Sequence, residues 1–195
     1  MTDVPVESAP ADSTPARLSL LPSLAIAMVV VIADVFTKRW AVTRLSHGRT
    51  IHILGSLQFN LTYNSGMAFS RGRGVGPYIG VIAVVVVTLL LVSLRQSESR
   101  LGSIATGMVI GGAVGNILDR LFRGDGWFKG LVVDFIDPQW FPIFNVADIG
   151  VTVGGFLLVA GTMWYSRTTR LAPPDHRTLP SHIPDTEAEA ASDDH

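Results

Sequence analysis

The stretch Val132–Gly155, VVDFIDPQWFPIFNVADIGVTVGG, decides how this chain is read. It leads through polar and aromatic residues into a long apolar segment that opens at Val146, and Asp134 and Asp148 bracket the passage. An Asp at the centre of a spanning helix costs roughly 2.5–3.5 kcal/mol. A chain that places two carboxylates beside one apolar segment is expected to use them.

Three more apolar segments lie upstream, at 18–36, 77–94 and 101–118, and the last covers 146–165. Each is close to the roughly 20 residues that a spanning helix needs. Hydrophobic residues make up 48% of the chain and charged residues 16%, with a mean hydropathy of +0.38. Soluble domains carry about 25% charge. The chain is therefore expected to be an all-α membrane protein of four transmembrane helices, in one domain, with both termini on one side. The first segment follows Arg17, as the apolar region of a signal peptide follows a basic residue. It instead runs into Asp34, Thr37, Lys38 and Arg39 with no small-residue cleavage site, so a retained helix is expected.

The link RQSESR at 95–100 is short enough to make the second and third helices a tight antiparallel pair. Gly107, Gly111 and Gly115, and then Gly150 and Gly154, recur at four-residue intervals that let helix backbones approach closely. Two longer loops, 38–76 and 119–144, fall on the side opposite the termini. In the first, Phe59, Leu61 and Tyr63 alternate with Asn60, Thr62 and Asn64, a strand period followed by a turn at Asn64-Ser65-Gly66. A small sheet at the membrane surface is expected there, with 57–63 able to pair with extended backbone. Trp127, Trp140, Phe141 and Phe144 in the second loop suit the membrane interface.

The net charge of −1 hides a division. Residues 1–16 hold Asp3, Glu7 and Asp12 with no basic residue, and 171–195 hold six acids and Arg177. These Pro-, Ser- and Ala-rich ends read as disordered tails around a core of 17–170, which has 14 basic and 7 acidic residues and a net of +7. The chain contains no Cys, which excludes thiol catalysis, disulfides and Cys-based zinc sites. Lys and Arg favour the cytoplasmic side. The two long loops carry nine of them and the opposite side six, so the count alone puts the loops in the cytoplasm.

Polar residues gather at one end of the helices. Asp34 and Lys38 close the first helix, Asn116, Asp119 and Arg120 the third, and Asn145 and Asp148 open the fourth; Asn64 and Asp134 lie in the loops of that side. Two acids sharing a site are the basic equipment of an aspartic peptidase. Other readings stay open at this point. Asp34 with Lys38 can be a helical ion pair, Asp119 with Arg120 a structural pair, and Asp148 a favourable charge at a helix N-terminus. Asp137 and Asp125 read as turn residues. A proton-relaying transporter, or a serine hydrolase using Ser65 or Ser70, would draw on the same region. His47 and His52 match no zinc pair, and RGRGVG lacks the Lys-Ser/Thr of a phosphate loop. Asn60-Leu61-Thr62 fits a glycosylation pattern short enough to arise by chance.

Taken together, DVFTK at the end of the first helix, NSGMAF in the first loop, GGAVGNILDR at the end of the third helix, and then VVDFID and FNVAD resemble the lipoprotein signal peptidase (signal peptidase II) family in motif order. The resemblance covers roughly 18–165. It implies a bacterial membrane aspartic endopeptidase with Asp134 and Asp148 as the catalytic dyad, supported by Asp34, Lys38, Asn64, Gly66, Asn116, Asp119, Arg120 and Asn145. It implies a diacylglyceryl-prolipoprotein substrate cleaved before the lipidated Cys, no metal or other cofactor, contact with membrane lipid but no nucleic acid, and a monomer. It further implies a multi-pass protein of the inner membrane with cytoplasmic termini and an extracytoplasmic β-sheet and active site, against the Lys/Arg count. The stretch LFRGDGWFKG is longer than is common in the family.

Overall fold

The computed structural model describes residues 17–66, 76–93 and 100–171. The elements run α1 (Arg17–Leu45), a 3₁₀ turn (Ser46–Gly48), β1 (Thr50–Leu54), β2 (Leu57–Asn64), α2 (Gly76–Ser93), α3 (Arg100–Phe122), β3 (Val132–Asp137) and α4 (Val146–Leu171). Met1–Thr162 forms one compact unit and Met163–His195 another, whose described part is the helical Met163–Leu171. All the polar residues singled out above belong to the first unit. The expected tails lie outside the described residues, apart from Leu171. All four helices are long and apolar enough to cross a membrane.

Apolar runs place the helices, and tertiary packing sets their ends. The apolar run of α1 stops near Phe36, but the helix continues to Leu45 because Ala41 and Leu45 bury themselves against the sheet. It ends where His47 and Gly48 turn left-handed at φ 65° and 75°. The α3 helix is the central one, with about half of its spanning window buried against 17% for each of the others. Glycine makes this possible. A Cβ on Gly107 or Gly111 would come within 2.5–2.6 Å of the Ser23 and Ala27 carbonyl oxygens of α1. A Cβ on Gly112 would lie 2.2 Å from the Ala147 carbonyl of α4, and one on Gly154 2.6 Å from that of Ala105. Two glycine-lined faces of α3 therefore bring α1 and α4 into backbone contact, and polar side chains at one end of these helices become neighbours.

The sheet is antiparallel in the order β1-β2-β3. The strand expected at 57–63 is β2, and it is central. Its partners are β1 on one side and β3 on the other, so the expected pairing of 57–63 with extended substrate backbone has no free edge to use. Asp134, expected in a loop, lies on β3, whose β-branched VVDFID segment registers Thr62 against Asp134 and Tyr63 against Val133. Successive side chains of a strand point to opposite faces. Val133 and Phe135 therefore pack with Ala41, Leu45 and Leu61 beneath α1, and Asp134 projects from the other face beside Asn64.

Candidate active site

Asn145 holds the two bracketing acids in one cluster. It precedes α4, and its Oδ1 accepts the Asp148 N–H at 3.0 Å while its own N–H donates to Asp148 Oδ2 at 3.1 Å. This reciprocal pair satisfies two amides at the helix start, the geometry of a capping box. The remaining group of the same side chain, Nδ2, donates to Asp134 Oδ1 at 2.6 Å and also reaches Asn116 Oδ1 at 3.2 Å and the Val133 carbonyl at 3.3 Å. Helix capping and carboxylate placement are thus one arrangement.

Each carboxylate has a second donor, in both cases an Asn side chain. Asn116 Nδ2 reaches Asp148 Oδ1 at 2.8 Å, and Asn64 Nδ2 reaches Asp134 Oδ2 at 2.9 Å. The Asn64 amide is oriented in turn by the Gly66 N–H, which donates to its Oδ1 at 2.7 Å; Gly66 has φ 101°, a backbone region that glycine occupies without strain. Asp134 is buried, which pushes its carboxyl up from 3.8 to about 6. The hydrogen bond from Asn64 opposes that rise, the charge of nearby Asp148 adds to it, and Asn145 and the charge of Lys38 oppose it.

A buried ionic layer lies under the cluster. Lys38 Nζ donates to Asn116 Oδ1 at 2.9 Å and lies in ion-pair contact with Asp34 Oδ2 at 2.7 Å and Asp119 Oδ2 at 3.0 Å. Lys38 is 1% exposed and Asp34 fully buried, and such charges persist in an apolar bundle only when paired. Asp34 Oδ1 also accepts the Ala147 N–H at 2.9 Å, tying α1 to the first turn of α4. Asp119 contacts Arg123 Nε and accepts the Val133 N–H at 3.1 Å, which fixes β3 one residue before Asp134. Arg120 is buried, donates from Nη1 to the Asn116 carbonyl at 3.3 Å, and lies within electrostatic reach of Asp134, Asp148 and Asp119. Its Nε has no partner among the described residues.

Every residue expected at the site is therefore brought into one connected cluster. Asp137 is a turn residue with more to do. Burial raises its carboxyl, but hydrogen bonds from Gln58, the Gln139 N–H and Asn60 outweigh this and hold it below the ordinary range. Asp125 is exposed, His47 is exposed in the 3₁₀ turn after α1, and His52 is exposed on β1, across β2 from β3. Ser70 and the Met67-Ala68-Phe69 part of NSGMAF lie outside the described residues. Among the described residues no group of three or more His, Asp or Glu side chains could hold a metal ion. Sequence reasoning missed the part played by Gly115, which had read as helix packing alone. A Cβ there would stand 2.5 Å from Asp34 Oδ2 and 3.3 Å from Ala147 Cβ, so its absence lets the ionic layer meet α4.

A model of signal peptidase II matches residues 26–164, which takes in the four helices and the whole cluster. The class is that of a membrane aspartic peptidase. Within it, the chain belongs to the signal peptidase II family of bacterial membrane proteins. A lipoprotein signal peptidase of Mycobacterium leprae is 43% identical over 79% of this chain and 76% of its own length. Those of Mycobacterium avium and Rhodococcus jostii are 41% and 38% identical, covering 78% and 83% of this chain and 83% and 81% of theirs. Among solved structures, a bacterial membrane enzyme determined at 2.3 Å superposes with a TM-score of 0.67 at 26% identity, over 77% of this chain and 93% of that one. Another, at 1.9 Å, gives 0.63 at 28% identity over 72% and 92%.

Proposed function

We propose that this chain removes the signal peptide from diacylglyceryl-modified prolipoproteins, cleaving before the lipidated Cys, with Asp134 and Asp148 as a dyad that activates water. The observation that carries the reading is the single residue Asn145 bonded to both carboxylates, to Asp134 through its side-chain amide and to Asp148 through its main-chain N–H. The names borne by the relatives supply the substrate class.

The dyad works with one shared proton, because two neighbouring carboxylates do not both ionise cheaply. We assign Asp148 the role of general base. It sits in the first turn of α4, where the helix dipole favours negative charge, and it accepts two N–H donors. We assign the shared proton to Asp134, the buried acid whose carboxyl is pushed up to about 6. Asp148 takes a proton from water as the water oxygen attacks the scissile carbonyl carbon. Asp134 gives its proton to the carbonyl oxygen, forming a neutral tetrahedral diol. Collapse breaks the C–N bond; the departing nitrogen takes the proton from Asp148, and a hydroxyl proton returns to Asp134. No cofactor enters the cycle. Lys38, Asp34, Asn116, Asp119, Asn64 and Gly66 position the dyad, and Arg120 lines the site.

The bundle suits a lipidated substrate, since the acyl chains can stay in the bilayer while the peptide bond reaches the dyad at the helix ends. The chain acts as a monomer, with both termini cytoplasmic and the dyad at the outer face. Single cysteines added to the Cys-free chain at 56 and 98 report this orientation through accessibility to an impermeant thiol reagent in intact cells. The substrate claim is tested with purified protein and one prolipoprotein in diacylated and unmodified forms, the products mapped by mass spectrometry. Cleavage before Cys in the diacylated form alone is expected; equal cleavage of both, or cleavage elsewhere, overturns it.

A further inference from the structure

The outward face of α1 changes character along its length. Leu21, Leu24, Met28, Ile32 and Phe36 are exposed at steps of three or four residues, one apolar stripe facing lipid. The same stripe continues through Trp40 and Arg44, both exposed; Arg39, also exposed, lies about 100° round the helix from Trp40, so basic groups flank the stripe on both sides. The geometry places this change at a definite depth. A helix of 29 residues at 1.5 Å per residue is about 44 Å long, and the hydrocarbon core is about 30 Å thick. Leu18–Phe36 is uncharged except for the buried Asp34, so the excess of about 14 Å, roughly nine residues, is the Thr37–Leu45 end. That end stands in the headgroup layer, where a Trp is at home.

The chain then passes exposed Arg49 into β1, which presents Ile51, Ile53 and, at the hairpin tip, Leu54, which is 82% exposed. No Asp or Glu occurs between Asp34 and Glu98, and Asp34 is buried on Lys38. Among the described residues Arg39, Arg44 and Arg49 form no ion pair. Asp137, the acid on the neighbouring strand end, is buried and taken up by Gln58, Asn60 and Gln139.

We infer that Arg39, Arg44 and Arg49, with Trp40 and Leu54 dipping beside them, form a binding surface for anionic phospholipid headgroups at the end of α1. The surface is separate from the dyad and stands whether or not the proposed cleavage does. The continuity of the cationic patch with the lipid-facing stripe selects lipid over a soluble acidic partner. It also separates the basic residues of the long loops into those held inside the site, such as Lys38 and Arg120, and those committed to headgroups.

The test uses the full chain in phosphatidylcholine bilayers with trace spin-labelled phosphatidylglycerol or spin-labelled phosphatidylcholine. The motionally restricted fraction gives relative affinity. Phosphatidylglycerol is expected to associate about three- to tenfold more strongly, with the preference fading as salt approaches about 1 M. R39Q/R44Q/R49Q is expected to bring the ratio to about one, the corresponding triple Lys variant to keep it, and R100Q, at the far end of α3, to leave it unchanged. Equal affinities for the unaltered protein overturn the inference, as does a preference that survives in the Gln triple, vanishes in the Lys triple or ignores salt. If the Gln triple does not fold, the salt series and the Lys triple decide.

Discussion

Asn145→Ala is the substitution that separates a working dyad from two acids that merely lie close. The alanine removes the 2.6 Å donor to Asp134 Oδ1 and the acceptor 3.0 Å from the Asp148 N–H, while leaving the main-chain bond from residue 145 to Asp148. A hydrogen bond to a charged group contributes about 1.5–3 kcal/mol, and a lost helix cap costs about 0.5–2 kcal/mol. The cap loss falls on stability. The carboxylate bond falls on the reaction, so kcat is expected to drop by roughly ten- to a hundredfold with little change in KM. The direction of titration provides a second readout. Asn145 holds the Asp134 carboxyl down against burial, so its removal lets that carboxyl rise above about 6. The limb of the pH–rate profile set by Asp134 is expected to move to higher pH. The assay is cleavage of a diacylated prolipoprotein in detergent across a pH series, with thermal unfolding followed in parallel. Full activity with an unshifted limb, or a loss that appears only in KM, refutes the reasoning.

Lys38→Met leaves Asp34 and Asp119 buried without their shared cation, and is expected to destabilise the protein by about 3–5 kcal/mol, read as a lowered unfolding midpoint in detergent. Gly115→Ala pushes a methyl to 2.5 Å from Asp34 Oδ2 and is expected to abolish activity, whereas Gly155→Ala meets nothing within 4 Å and is expected to be neutral; activity and Tm of the two purified variants decide. Stability is expected to fall with rising pH through the window from about 4 to 6, because the folded Asp134 pKa of about 6 lies above its unfolded value of 3.8 and the fold resists its ionisation. Asp134→Asn is expected to flatten that slope in a pH series of unfolding midpoints.

Much of this arrangement was legible because the bilayer restricts what an apolar run can be. Four such runs and short links fix a bundle, and charges confined to one end of it must meet there. The ends of elements were less legible. The apolar run of α1 stops near Phe36, but burial of Ala41 and Leu45 against a sheet distant in sequence carries the helix on to Leu45. The β1 segment TIHIL alternates over only four residues and is exposed along its length, so its pairing with β2 is what makes it a strand. The β3 segment VVDFID carries β-branched residues, but its two Asp and short length masked that signal, and Asp134 was expected in a loop. Asn145 to Asp148 was readable as one helical turn, but the reach of Asn145 back to Asp134 depends on β3 lying beside α4. Trp127 and Trp140 are exposed as interfacial residues should be, whereas Phe128 between Trp127 and Lys129 is buried at φ 54° against Gly80, a contact with no local signature.

The most direct measurement compares the unaltered protein, Asp134→Asn and Asp148→Asn in cleavage of one diacylated prolipoprotein, each with and without a metal chelator. The account predicts full cleavage by the unaltered protein in both conditions and a loss of at least about a thousandfold in each variant, with folding retained. Cleavage that survives either substitution, or that stops when chelator is added, contradicts it.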